Sequence, residues 1–169
     1  MIKKYTLAVL FVSSFLIGFS QSYQTAIGVK GGGYGGGHLS GGGINFKHFL
    51  SGPNAIEATA GGGSNHFHLQ VLYEWQKSTG WADGLDWYLG IGGTIGTWRT
   101  GYYHPVHDDF YYNSGFYLGA NGVIGLDWNL EPALGVPIGL ALDAGPSIGI
   151  INSRLWGWGG GFAIRYIIK

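Results

Sequence analysis

The sequence predicts an all-β fold, an eight-stranded antiparallel up-and-down transmembrane β-barrel. Three observations carry this expectation. Apolar residues alternate with small or polar ones at a period of two, over segments of about 11 to 13 residues. Soluble strands usually run to about 5 or 6 residues, whereas a tilted strand crossing a bilayer needs about 9 to 11. Only 11% of the residues are charged while 16% are aromatic, including seven Trp and eleven Tyr. That is a poor surface to hold in water and a suitable one to hold against lipid. After the first 20 residues, Gly and Pro recur too often for a helix, and no apolar stripe repeats at helical spacing.

The chain opens Met1-Ile2-Lys3-Lys4, then runs apolar from Leu7 to Phe19. This reads as a signal peptide over residues 1–20, cleaved after Ser20 or, alternatively, after Ser22. The apolar run is short for a membrane-spanning helix, which needs about 20 residues. Residues 21–169 then form the barrel. Loss of Lys3 and Lys4 would leave seven basic and nine acidic side chains, a net charge near −2. That balance offers no basic face for nucleic acid. The absence of cysteine excludes a disulfide scaffold and a lipid anchor at the cleavage site.

Four strands are read most clearly. From His66 to Gln76, one face carries Phe67, Leu69, Val71, Tyr73 and Trp75; the other carries His66, His68, Gln70, Leu72, Glu74 and Gln76. From Leu85 to Ile95, Trp87, Leu89 and Ile91 oppose Asp86, Tyr88, Gly90 and Gly92. From Phe116 to Trp128, Leu118, Ile124 and Leu126 oppose Tyr117, Gly119, Asn121 and Asp127. At the C-terminus Phe162, Ile164, Tyr166 and Ile168 oppose Ala163, Arg165 and Ile167. Segments 24–34, 41–50, 54–62 and 136–150 complete eight, the last weakened by Pro146, which removes a ladder donor. With the N-terminus in the periplasm, connectors 35–40, 63–65, 98–114 and 151–157 face outward, and 51–53, 77–84 and 129–135 face inward. The longest connector, Trp98 to Ser114, falls on the outer side, as barrels of this kind favour. Two aromatic girdles are expected: Trp75, Trp87, Trp128 and Tyr166 at one rim, and Trp98, Phe116 and Trp158 at the other.

Nine glycines fall between Gly31 and Gly43 in "GGGYGGGHLSGGG". A phosphate-binding loop would need a following Lys and Ser/Thr and a helix, which this stretch lacks. It reads instead as two strand ends and a tight turn. Gly90, Gly92, Gly96, Gly119 and Gly125 take inward positions, leaving room for bulky neighbours in a lumen only wide enough for side chains.

The strings "AIGVKGG", "AIEATAG", "LYEWQ", "GLDWYLGIGGTIG", "GVIGLDWNL", "ALDAGP" and "FAIRYIIK" cover most of the mature chain. In these the chain resembles the small outer-membrane β-barrel proteins of Gram-negative bacteria, closest to Bacteroidota barrels. The resemblance implies outer-membrane localisation, contact with outer-membrane lipid and insertion by the barrel-assembly machinery. It implies no catalytic residues. Barrels of this kind commonly end on an aromatic residue, whereas this chain ends Ile168-Lys169.

Inside the barrel, Glu57, Glu74, Asp86, Asp127, Asp143 and Arg165 are expected to form a polar network, with Lys30 and Lys47 as further members. Buried charges must pair, and Arg165 can bridge two carboxylates, so the network is expected to plug the lumen. "YYHPVHDDF" offers a candidate metal site at His104, His107 and Asp108. His104 or His107 with Ser114 and Asp108 are candidates for a lipid-modifying enzyme. Trp98, Tyr102, Tyr103, Tyr111 and Tyr112 are candidates for ligand or partner contact from an outer loop. No cofactor is expected, and the barrel is expected to be a monomer. A soluble secreted β-sandwich is the rival reading, since it too shows alternating strands.

Overall fold

The computed structural model describes residues 23–34, 39–104, 109–151 and 156–168, with backbone alone for residues 34, 39, 40, 101–104 and 109–112. The expected signal segment lies outside the described residues. The strands are β1 (Thr25–Tyr34), β2 (Leu39–Ser51), β3 (Asn54–Gly63), β4 (His66–Ser78), β5 (Leu85–His104), β6 (Asp109–Asn129), β7 (Ile138–Ile151) and β8 (Gly157–Ile168). Each pairs antiparallel with its sequence neighbour, and β1 pairs with β8, so the sheet closes into an eight-stranded barrel. Closure leaves the wall without edge strands, and it replaces the two-sheet sandwich.

The period-two pattern sorts the side chains. Val29, Ile44, Phe67, Ile91, Ile124, Leu142 and Ile164 all point outward and are exposed. The interior holds the charged and amide side chains, among them Lys47, Glu57, Gln70, Glu74, Asp127 and Arg165, all buried. This is a globular protein inverted: greasy outside, polar within. Among the described residues no helix is long and apolar enough to cross a membrane.

Two glycine positions show why the wall needs them. Gly125 faces inward opposite Tyr88, and a Cβ there would lie 2.6 Å from the Tyr88 ring carbon Cζ. Glycine lets that ring lie across the strand. Gly84 (φ 76°) turns the chain into β5 and packs against Asn129, whose N–H donates to the Gly84 carbonyl at 2.8 Å. The β6–β7 connector contains one helical turn, α1 (Glu131–Leu134), ended by Gly135 in the left-handed conformation. Pro146 is accommodated on β7, where the β6–β7 ladder skips from Asn121–Ser147 to Ile124–Ala144.

The largest departure from expectation is the segment 98–114. It is not an outer loop: β5 runs 20 residues and β6 runs 21, paired up to His104–Asp109. The β4 ladder ends at His66–Trp98 and the β7 ladder at Leu118–Ile151. Arg99 N–H still donates to the Asn65 carbonyl at 2.7 Å; beyond it, five further residues of β5 stand clear of the described wall as a hairpin reaching about 17 Å. Beyond the apolar belt nothing enforces alternation of apolar and polar residues, so the periodic signal stops while the strand continues. The aromatic composition of this segment, with four Tyr besides Trp98 and Phe110, favours strand. With 98–104 and 109–114 in strands, the longest connector, 130–137, lies at the opposite end of the barrel, so connector length does not carry the expected asymmetry.

Candidate functional site

The interior is layered along the barrel. At the end where the chain enters, Tyr23, Ala26, Phe49, Ala55 and Ile167 form a buried apolar cap. Tyr23 meets Phe49 edge-to-face at 5.1 Å, and its hydroxyl donates to Asp127 Oδ2 at 3.1 Å. Burial, reinforced by the Asp127 carboxylate, holds that hydroxyl protonated well above its ordinary range.

Above the cap lies the charge network. Arg165 on β8 is 1% exposed. Its Nη2 donates to Glu57 Oε2, its Nη1 to Asp127 Oδ2 at 3.2 Å, and its Nε to Asn45 Oδ1 at 2.5 Å. Asn45 in turn donates to Thr59 Oγ1 at 2.8 Å. Lys47 Nζ lies 2.6 Å from Asp127 Oδ2, 2.6 Å from Gln76 Oε1 and 2.8 Å from Glu74 Oε2. It also sits 4.7 Å above the Tyr88 ring centroid. Gln76 passes the chain on to Asp86 Oδ2 at 2.9 Å. Lys30 Nζ bridges Glu57 Oε1 and Asp143 Oδ2, both at 2.6 Å, and Tyr88 donates to the same Asp143 oxygen at 2.7 Å.

All six network residues anticipated from the sequence are therefore buried inside the barrel, though not around Arg165 alone. Arg165 contacts Glu57 and Asp127; Lys30 reaches Asp143, Lys47 reaches Glu74, and Gln76 reaches Asp86. The two lysines are structural equals of the arginine. Tyr23, Asn45 and Gln76 also belong to the network. Gln76 and Tyr88 were legible as inward positions, but nothing in the alternation marks Tyr23, which precedes β1. Five buried carboxylates face three buried cations. Such a filled, cross-linked interior opposes the free passage of solutes.

Beyond the network, toward the β1–β2 turn, is a cavity of about 20 Å³ lined by Lys30, Thr59, His68, Gln70 and Thr94 and by glycines of β1, β2 and β8. Asn121 donates to Thr94 Oγ1 at 2.5 Å. At the same end the His66 and His68 rings stack with centroids 6.0 Å apart.

The remaining candidates are distributed as follows. Trp98 is on the inward-facing parity, half-buried, with its indole over Gly115, rather than in an outer girdle. Its direct pairing with His66 and Gly115 sets that side. Trp75, Trp128, Phe116, Trp158 and Tyr166 do point outward. Tyr102 pairs with Tyr111, Gly101 with Tyr112 and Tyr103 with Phe110 in the projecting hairpin, so these residues sit on strands rather than in a loop; their side chains lie outside the described residues. His104 ends β5 opposite Asp109, and His107 and Asp108 lie outside the described residues. Ser114 is exposed on β6, paired with Arg99. Among the described residues no group of three or more His, Asp or Glu is arranged to hold a metal ion. No protein-family model and no curated protein matches the chain.

Proposed function

We propose that this protein is an outer-membrane β-barrel of the small Gram-negative type that its strand patterns resemble, with a plugged interior. It would act as a structural component of the envelope or through the end that carries the projecting hairpin. The inversion of polarity carries this reading. An outward belt of Val, Ile, Leu, Phe and Trp encircles a closed sheet whose interior holds Lys30, Lys47 and Arg165 in salt bridges with Glu57, Glu74, Asp127 and Asp143. In water such a belt would far exceed the apolar patches that monomeric proteins tolerate. In lipid it is the surface that a closed barrel requires. Strands of 10 to 21 residues are long enough to cross at a tilt. Outward aromatic residues near both rims suit the two headgroup layers. The salt-bridged lumen supports a role other than porin-like flux.

The reading is tested by refolding the 21–169 chain into liposomes whose acyl chains are brominated at different depths. Trp75 and Trp128 should be quenched most by bromines near the headgroups, as expected of rim residues. Fluorescence indifferent to every bromine position would reject the bilayer.

A further inference from the structure

At the foot of the projecting hairpin the outer surface holds an open groove of about 620 Å³. The strand register sets its two levels. Phe67 of β4, Thr97 of β5 and Phe116 of β6 are ladder partners in one row, and all three are exposed. The two phenylalanine positions are two strand spacings apart, about 10 Å, with the short Thr97 side chain as the floor between them. Two residues further from the belt lies a second row of Asn65, Arg99 and Ser114. Arg99 pairs with Ser114, and its N–H donates to the Asn65 carbonyl at 2.7 Å. These three side chains are also exposed, and they line the same groove. The groove is therefore apolar on the belt side and polar, with one cation, on the hairpin side.

Charge and polarity together select the occupant. Among the described side chains of the outward surface at this end, Arg99 is the only charged one. At the opposite end Asp83 and Glu131 accompany Lys77, so the signs there are mixed. A guanidinium flanked by an amide and a hydroxyl is a donor set for phosphate oxygens. A soluble anion would use that row alone and leave Phe67 and Phe116 facing water. A purely apolar molecule would use the phenylalanine row alone. A molecule with an anionic phosphate at one end and an acyl chain at the other uses both rows, in the order in which the groove presents them. That order also matches the step from the apolar belt to a headgroup layer.

We propose that this groove is a binding site for a lipid with an anionic phosphate headgroup. The phosphate sits on Arg99, Asn65 and Ser114, and one acyl chain lies over Thr97 between Phe67 and Phe116. The proposal rests on the membrane reading, because the groove must open onto a bilayer to receive a lipid.

The test places the refolded 21–169 chain in phosphatidylcholine vesicles that carry a trace of spin-labelled lipid. Electron spin resonance then gives the fraction of label held motionally restricted by the barrel. Spin-labelled phosphatidic acid should be held about fivefold more strongly than spin-labelled phosphatidylcholine, the effect of one cation at a headgroup layer. Arg99→Gln should abolish most of that preference, Arg99→Lys should keep part of it, and Lys77→Gln at the other rim should leave it unchanged. Thr97→Leu fills the floor of the groove without changing charge, and it should weaken the preference at least twofold. A preference indifferent to Thr97→Leu would be surface charge alone and would overturn the site. Displacement of the labelled lipid by inorganic phosphate would give the polar row to a free anion and overturn the lipid. Oxidative cross-linking of Thr97→Cys into dimers, in a chain that has no other cysteine, would put a second copy in the groove and overturn it too. Should Arg99→Gln fail to fold, Thr97→Leu decides the question. A barrel that enters the vesicles but shows no lipid preference sinks this site alone, whereas one that stays outside them sinks the membrane reading with it.

Discussion

Arg165 provides the sharpest test of how the interior is held. Its guanidinium donates to Glu57, Asp127 and Asn45, on β3, β6 and β2, and so ties four strands together across the lumen. Consider Arg165→Met, which keeps much of the side-chain volume. Glu57 would still have Lys30 at 2.6 Å, and Asp127 would still have Lys47 at 2.6 Å and Tyr23 at 3.1 Å. Neither carboxylate is wholly stranded, so the loss should fall at the lower end of the range for breaking a buried ion pair, about 3 kcal/mol. Arg165→Ala adds an unfilled volume and should approach about 5 kcal/mol. Lys77→Ala, on the outward side of β4, should cost less than about 1 kcal/mol. The assay is urea unfolding in detergent micelles, read by tryptophan fluorescence. Pairing Arg165→Met with Glu57→Gln then separates charge from packing. Removing both partners should cost less than the sum of the single changes by about 1–3 kcal/mol. Equal unfolding midpoints for Arg165→Ala and Lys77→Ala, or strict additivity with Glu57→Gln, would refute the idea that paired charge organises the lumen.

Three further outcomes are expected. Ile124→Lys, at an exposed apolar position on the outer face, should destabilise the barrel by about 2–4 kcal/mol in liposomes if that position lies near the bilayer midplane. The same change should be close to neutral if the face is wet, and reversible unfolding in liposomes distinguishes the two. Gly125→Ala should cost about 1–3 kcal/mol by driving the Tyr88 ring off its seat and straining its hydrogen bond to Asp143, measured by the same urea titration. Replacing residues 100–113 by a two-residue turn should leave the stability of the barrel within about 1 kcal/mol, because the described residues of that span, 100–104 and 109–113, form ladder pairs with one another. A collapse of folding on that deletion would show that the hairpin helps to close the wall.

The sequence made the barrel legible because one physical constraint acts along most of the chain. A strand with lipid-like surface on one side and a narrow polar lumen on the other must alternate, and β4, β5, β6 and β8 do so over their belt-crossing portions. Strand ends were read less well. Tyr102, Tyr103, Tyr111 and Tyr112 sit where neither the belt nor the lumen dictates the pattern, so a continuing strand looked like a loop. Tryptophan's preference for headgroup layers suggests a girdle position for Trp98, but its parity puts it on the lumen side with His66. The charged residues of the network could be named in advance because charge is rare in this chain and each lay opposite an apolar face. Their pairing could not, since it depends on the stagger between strands distant in sequence, as with Lys30 and Asp143. The cavity was invisible for the same reason: the glycines of β1, β2 and β8 meet only when the barrel closes.

The central claim, a closed barrel resident in an outer membrane, is tested most directly by heat-modifiability of the protein in fractionated envelopes. Boiled and unboiled samples are compared on a denaturing gel. The account predicts recovery in the outer-membrane fraction and a change in mobility on boiling, the mark of a sheet that detergent alone does not open. Recovery in a soluble fraction, with the same mobility before and after boiling, would contradict it.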